Sequence, residues 1–209
     1  MTGTTGSPAI RHIVFDVGHV LIHWDPDILY RDLIVDETRR RWFLSEVCSP
    51  EWNLEQDRGR SWAAGEAELI TRFPAEAKLI RAFRERWLEM APHALEESVV
   101  ILEGLVAQGR DVTLLTNFND DTFAEARTRY PFLDLARGAT VSALVGHLKP
   151  EREIFDLHAQ AFGLDAGATL FIDDSPPNVE GARAAGWQAV QFVDAARLRA
   201  DLAEFGLAA

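Results

Sequence analysis

The sequence contains a single cysteine, Cys48, so no disulfide can form within one chain and nothing demands an oxidising compartment. Cys48 reads as a small buried hydrophobe. No apolar run approaches the roughly 18 residues that would mark a membrane span. The opening segment, Met1–Ala9, lacks the basic start and apolar stretch of a secretory signal. Positive charge is scarce too. Lys and Arg number 21 against 33 Asp and Glu, a formal net charge of −12. That balance argues against nucleic acid and against anionic membrane surfaces as partners. It still admits an anionic small molecule, because one lysine or a bound metal can reverse the field inside a pocket. Internal repeats and low-complexity stretches are absent. The expectation is a cytoplasmic protein, with a monomer and a homodimer both compatible.

What the chain does have is ample apolar content, 47% of 209 residues, enough for one substantial core and a small accessory unit. Short apolar runs read as strands at 11–15, 112–115, 139–142, 170–172 and 189–193. Helical patterns lie between them at 99–108, 120–130 and 151–162, and another opens at Pro176 or Pro177. Gly109 reads as a C-cap, Pro131 as a helix stop and Gly186 as a helix end. This alternation predicts an α/β fold: a Rossmann-like parallel sheet with helices on both faces, its strand ends gathered at one edge. Residues 194–209 read as a final helix.

The stretch from Asp27 to about Pro92 differs. It is rich in Arg, Glu, Leu, Trp and Phe and has few strand-like runs. Asp27 reads as the cap of a helix carrying Leu29, Leu33 and Ile34. Residues 76–89 place Ile80, Phe83, Trp87 and Leu88 on one helical stripe. Trp42, Trp52, Trp62 and Trp87 read as the aromatic filling of a small helical core. The expected organisation is therefore an α/β core of residues 1–25 and 93–209, with a small all-helical cap, 26–92, inserted after the first strand. Residues 19–24 read as an irregular connection.

Chemistry-bearing residues collect where the strands end. Asp16 follows Ile13-Val14-Phe15 and precedes Val17-Gly18. Buried there it needs a partner or a metal, and it can serve as a carboxylate nucleophile. Asp173 and Asp174 follow a second apolar run and repel one another unless a cation lies close. An oxygen-rich set of this kind suits Mg²⁺: Asp16, the carbonyl of Gly18 and Asp174 as direct ligands, with Asp173 holding a metal water. Thr116 and Asn117 can donate hydrogen bonds to a transferring phosphoryl group. Lys149 can neutralise both nucleophile and substrate oxyanion. The histidines show no ligand spacing that competes with this set.

In order along the chain, Asp16-Val17-Gly18, Thr116-Asn117, Lys149-Pro150 and Asp173-Asp174 resemble the four motifs of the haloacid dehalogenase-like hydrolase superfamily. The helical insert between the first two is similar as well. The phrase Phe15-Asp16-Val17-Gly18-His19-Val20 resembles a branch that includes bacterial sugar-phosphate phosphatases of the glucose-1-phosphate type. The resemblance implies a Mg²⁺-dependent phosphatase acting on a small phosphorylated metabolite through an aspartyl-phosphate on Asp16. Thr116 would bind the phosphoryl group, Lys149 would orient it, and Asp174 would hold the metal with help from Asp173. One departure stands out. Many such phosphatases carry an acid–base aspartate two residues after the nucleophile, where this chain has Gly18. His19 is one candidate substitute, with His23, Trp24 and Asp25 as further candidates. Arg39, Arg40, Arg41, Arg58 and Arg60 read as solvated charges, with contact to an anionic substrate as the alternative. Two other functions stay open on the sequence: dehalogenation of a 2-haloacid, which needs no metal, and binding of a phosphorylated ligand without turnover.

Overall fold

The computed structural model describes residues 9–208, so the reading of Met1–Ala9 lies outside the described residues except at Ala9. Five strands, β1 (His12–Phe15), β2 (Asp111–Thr116), β3 (Ala139–Val141), β4 (Thr169–Asp173) and β5 (Gln188–Gln191), form one parallel sheet in the order β3-β2-β1-β4-β5. The chain works outward from β1 to β3, then crosses back to lay β4 against the other side of β1. This is the strand reversal at which open α/β sheets place their sites. Register does the fine placement. Phe15 pairs with Ile172, and the Asp16 amide donates to the Ile172 carbonyl at 2.9 Å, so Asp16 and Asp173 leave the sheet side by side.

Alternation along β1 splits its side chains between two cores. Ile13 and Phe15 join a cluster with Leu102 and Leu105 of α7 (Glu96–Ala107) and Leu198 and Leu202 of α12 (Ala195–Glu204). Val14 points the other way, to Ile154 and Phe155 of α10 (Arg152–Phe162) and Val179 and Ala182 of α11 (Pro176–Ala184). α8 (Asp120–Arg129) and the short α9 (Ser142–Val145) complete the β2–β3 side. Gly109 closes α7 at φ +73°, as its position predicts.

After an irregular connection over 16–25, the chain is largely helical up to Met90: α1 (Pro26–Leu33), α2 (Glu37–Trp42), a π turn (Phe43–Val47), α3 (Pro50–Asp57), α4 (Trp62–Arg72), α5 (Ala77–Glu85) and α6 (Trp87–Met90). Its buried aromatic residues, Tyr30, Phe43, Trp52, Trp62 and Phe83, are continuous with the Phe15 cluster. Three local expectations change. Asp25, not Asp27, caps α1, accepting the Asp27 amide at 2.8 Å, while Asp27 pairs with Arg31 and Arg40. The stripe expected over 76–89 is broken at Arg86 (φ −119°), where the chain turns and Trp87 packs on Phe118 with ring centres 5.2 Å apart. Trp42 fills no core: it is 40% exposed and meets Phe73 edge-on. No helix among the described residues is long and apolar enough to cross a membrane.

Candidate active site

The carboxyl ends of β1, β2 and β4 and the loop before α10 meet in one cavity of about 190 Å³. Asp16, Gly18, Thr116, Asn117, Lys149 and Asp174 line its base, which brings together the expected residues of all four motifs. At its centre is Lys149, whose side chain is fully buried. Its Nζ lies 2.7 Å from Asp16 Oδ1 and 2.7 Å from Asp173 Oδ2. Asp16 Oδ1 also accepts the Val17 amide at 2.7 Å, which fixes its rotamer.

Each of these groups is held from behind. Asn117 grips the main chain of Lys149 twice: its Oδ1 accepts the Lys149 amide at 2.8 Å, and its Nδ2 donates to the Lys149 carbonyl at 3.0 Å. The Asn117 amide group thus shapes the lysine loop, and Thr116 remains the hydroxyl at the cavity base. The Lys149–Pro150 peptide is cis. Asp173 spends both oxygens inside the protein: Oδ1 accepts the Ser175 amide at 2.8 Å and Asn178 Nδ2 at 3.0 Å, and Oδ2 takes Lys149. α11 approaches closely enough to deliver Asn178 because residue 181 is glycine. A Cβ there would sit 2.8 Å from the Pro150 carbonyl oxygen.

The electrostatics follow from burial. Removal from water pushes the Asp16 carboxyl up to about 7; Lys149 opposes the rise and Asp173 adds to it. Burial also acts to lower Lys149, but the two carboxylates overcome it and hold the ammonium above the usual lysine range. Asp174 is half-buried, enters no salt bridge among the described residues, and is raised by burial and by Asp173. One oxygen each of Asp16, Asp173 and Asp174 lie within 4.8 Å of one another. Three carboxylates facing one lysine form an all-oxygen, net negative set of the kind a hard divalent cation fits. A second grouping, His147, Glu151 and Glu153, is more exposed, and Arg58 already pairs with its Glu151 at 2.6 Å.

The turn after Asp16 is tight. The Leu21 and Ile22 amides both donate to the Val17 carbonyl, and His19 takes φ +57°. Gly18 has nothing within 4 Å of where its Cβ would stand. His19 lines the cavity, close enough to Asp174 to oppose the rise of that carboxyl. Of the other acid–base candidates, Trp24 lines the cavity. His23 is stacked on His93, and Asp25 caps α1. The candidate arginines do not line it. Arg39 pairs with Glu76, Arg41 with Glu37, Arg58 with Glu151 and Arg60 with Glu68, while Arg40 is buried against Asp27 and the Ile34 carbonyl. The upper walls are apolar, built by Ile22, Trp24, Trp87 and Phe118, with Asn53 and Asp57 of α3 added. Sequence reasoning missed Asn53 and Asp57. A charged residue near a helix end reads as solvated, and the only available pointer was its place in the insert that follows a motif lacking its acid.

A model of the haloacid dehalogenase-like hydrolases matches residues 10–186. The chain belongs to the haloacid dehalogenase-like hydrolase family. Among its relatives is the sesquiterpene phosphatase astK of Aspergillus oryzae, 28% identical over 87% of this chain and 89% of that protein. The GMP/IMP nucleotidase YrfG of Escherichia coli is 34% identical over 97 residues, 45% of this chain and 43% of that protein. A haloacid dehalogenase family enzyme from Bacteroides thetaiotaomicron, solved with magnesium and inorganic phosphate, superposes with a TM-score of 0.70 at 23% identity, covering 88% of this chain and 95% of that one. The L-2-haloacid dehalogenase of Xanthobacter autotrophicus shares the fold at a TM-score of 0.62 and 14% identity, over 87% of this chain and 77% of that one. This haloacid dehalogenase-like chain is thus a hydrolase-family member with phosphatases among its relatives.

Proposed function

We propose that the protein is a Mg²⁺-dependent phosphomonoester hydrolase in which Asp16 is the nucleophile and the helical segment 26–92 acts as a cap over a core of residues 1–25 and 93–209. The observation that carries this reading is the gathering of Asp16, Asp173 and Asp174 within 4.8 Å of one another beside the buried Lys149, which pairs with Asp16 and Asp173. Dehalogenation by the same nucleophile needs no metal, so the added acidic pair argues against it. Attack by a carboxylate on a dianionic phosphoryl group does need a site for divalent charge.

Asp16, Asp174 and the Gly18 carbonyl would hold Mg²⁺, which when bound supplies Lewis-acid neutralisation of the phosphoryl oxygens. The rest falls to the chain's own side chains. The free Asp16 oxygen attacks phosphorus and forms an aspartyl-phosphate as the ester oxygen leaves. Lys149 balances charge on the carboxylate and on the equatorial phosphoryl oxygens. Thr116 donates its hydroxyl to a phosphoryl oxygen. Asp173 keeps Lys149 in place rather than meeting the substrate. Water then cleaves the acyl phosphate and restores Asp16.

The substrate's alcohol portion meets Ile22, Trp24, Trp87 and Phe118, together with Asn53, Asp57 and Thr122, with no arginine in the lining. The four large apolar side chains support the monophosphate of a largely apolar alcohol, with few polar groups left to meet the hydroxyls of a sugar or the second charge of a nucleotide. A sesquiterpene phosphatase among the relatives points the same way. The test is phosphate release from prenyl, sugar and nucleoside monophosphates, and halide release from 2-chloroacids, each with Mg²⁺ and with EDTA. The expected result is Mg²⁺-dependent phosphate release, fastest on the prenyl ester and abolished in Asp16→Asn. Halide release in EDTA would select the dehalogenase. Binding of a phosphorylated ligand without either product would select the non-catalytic reading.

A further inference from the structure

An alkoxide leaving a phosphoryl group needs a proton, and the base of the cavity has none to spare. Lys149 is locked between two carboxylates, Asp16 forms the new bond, and Gly18 has no side chain. In an in-line displacement the leaving oxygen faces away from the nucleophile. Asp16 lies at the strand ends, so the leaving oxygen points toward the part of the cavity built by the helical segment. One ionisable side chain from that segment lines the cavity: Asp57, the last residue of α3.

Resting on the phosphatase reading, we infer that Asp57 is the acid–base residue of this site, a role supplied in other such chains from beside the nucleophile. As Asp16 Oδ bonds to phosphorus and the P–O ester bond breaks, the Asp57 carboxylic acid gives its proton to the departing oxygen. In the second step the Asp57 carboxylate takes a proton from the attacking water. The water oxygen bonds to phosphorus, the acyl-phosphate bond breaks, and Asp16 is released as carboxylate with inorganic phosphate.

The position is built rather than incidental. Asn53 Nδ2, one turn earlier, donates to Asp57 Oδ2 at 3.0 Å and orients the carboxyl. The end of α3 is fastened to the core at three points. Ser142 Oγ donates to the Asp57 carbonyl, Asn119 Nδ2 donates to the Gln56 carbonyl at 3.2 Å, and Arg58 pairs with Glu151. Asp57 itself enters no salt bridge among the described residues. Burial pushes its carboxyl up to about 7, against a modest opposing effect of the Asn119 amide, so acid and base forms are both populated near neutrality.

The titratable groups that share its cavity are Asp16, Lys149, Asp174 and His19. Of the elements packed on α3, α9 carries no ionisable side chain. α4 carries Glu66 and Glu68, with Glu68 paired to Arg60, and Arg72, while the π turn carries Glu46. His19 lines the same cavity near Asp174, on the turn after Asp16 rather than on the helical segment.

The experiment compares two esters in Mg²⁺. One is an alkyl monophosphate, whose leaving group requires the proton; the other is p-nitrophenyl phosphate, whose leaving group departs without it. Asp57→Asn should lower kcat/KM on the alkyl ester by about 10²-fold or more and on the aryl ester only a few-fold. It should also remove the alkaline limb near pH 7 from the alkyl-ester profile. Asp57→Glu should keep a measurable part of the alkyl activity. Thermal melts of both variants check that the fold persists. Equal losses on the two esters, or an alkaline limb that survives in Asp57→Asn, would overturn the assignment while leaving Asp16 chemistry standing. A wild-type protein inactive on both esters would instead sink the phosphatase reading itself.

Discussion

Replacing Lys149 by Met tests the electrostatic centre of the site in a way that activity alone cannot. The substitution keeps the length of the stem and deletes the ammonium that lies 2.7 Å from Asp16 and 2.7 Å from Asp173, in a position with no solvent access. Breaking a buried ion pair by removing one partner typically destabilises by about 3–5 kcal/mol, because the other charge is left buried and uncompensated. For a domain of this size that corresponds to a fall in Tm of roughly 6–20 °C. The loss should depend on pH. The Asp16 carboxyl, already raised by burial to about 7, would be held further above its unfolded value once the opposing ammonium is gone. The variant then pays its full penalty only at pH values above that raised range. As pH falls the folded site takes up protons, and the difference from wild type shrinks toward pH 4. Urea unfolding followed by tryptophan fluorescence, in EDTA, at pH 8 and pH 4.5 measures it. Saturating Mg²⁺ should recover part of the loss at pH 8 by restoring positive charge. A deficit of equal size at both pH values would refute the reasoning, since it would mean that Lys149 contributes packing rather than charge balance.

Gly181→Ala should destabilise by about 1–3 kcal/mol and lower kcat, because a methyl group 2.8 Å from the Pro150 carbonyl oxygen must push α11 and Asn178 away from the lysine loop; denaturant titration and steady-state kinetics read the two effects. Mg²⁺ should raise the Tm of the wild-type protein, by about 2.7 kcal/mol of stabilisation at a hundred times its Kd, and leave Asp174→Asn nearly unchanged. Asp57→Asn should be more stable than wild type at pH 8. The Asp57 carboxyl is raised to about 7 in the folded state, so its contribution is lost as pH rises through that value; the advantage, on the order of 2 kcal/mol after allowance for partial solvent access, should vanish near pH 4 in urea titrations.

Much of the α/β core is legible because its logic is local. Ile13-Val14-Phe15 and Leu170-Phe171-Ile172 are buried on both faces of the sheet and so appear as unbroken apolar runs. Gly109 and Pro131 mark ends through backbone geometry alone. The acidic residues of the site are legible for the same reason, each standing where an apolar strand stops. Long-range pairing is not local, and the sequence-based errors collect there. Asp27 looks like a cap, yet Arg40, thirteen residues away, draws it into an ion pair. Arg40 looks solvated, yet it is buried by that pair and by the Ile34 carbonyl. Asn117 reads as a substrate donor, with no local sign that Lys149, distant in sequence, also engages its Oδ1 and Nδ2. Asp57 gives no local sign at all, because its meaning depends on where α3 comes to rest.

The continuity of the apolar cluster has a consequence for how molecules reach the nucleophile. Tyr30, Phe43, Trp52 and Phe83 share one uninterrupted body with Phe15 and Leu114, and the tip of α3 is tethered to Asn119, Ser142 and Glu151. Swinging the whole helical layer aside would flood that body with water. Traffic is then expected through small local excursions of cavity-lining side chains such as Trp24, and the helical and sheet layers should melt together as a single cooperative unit.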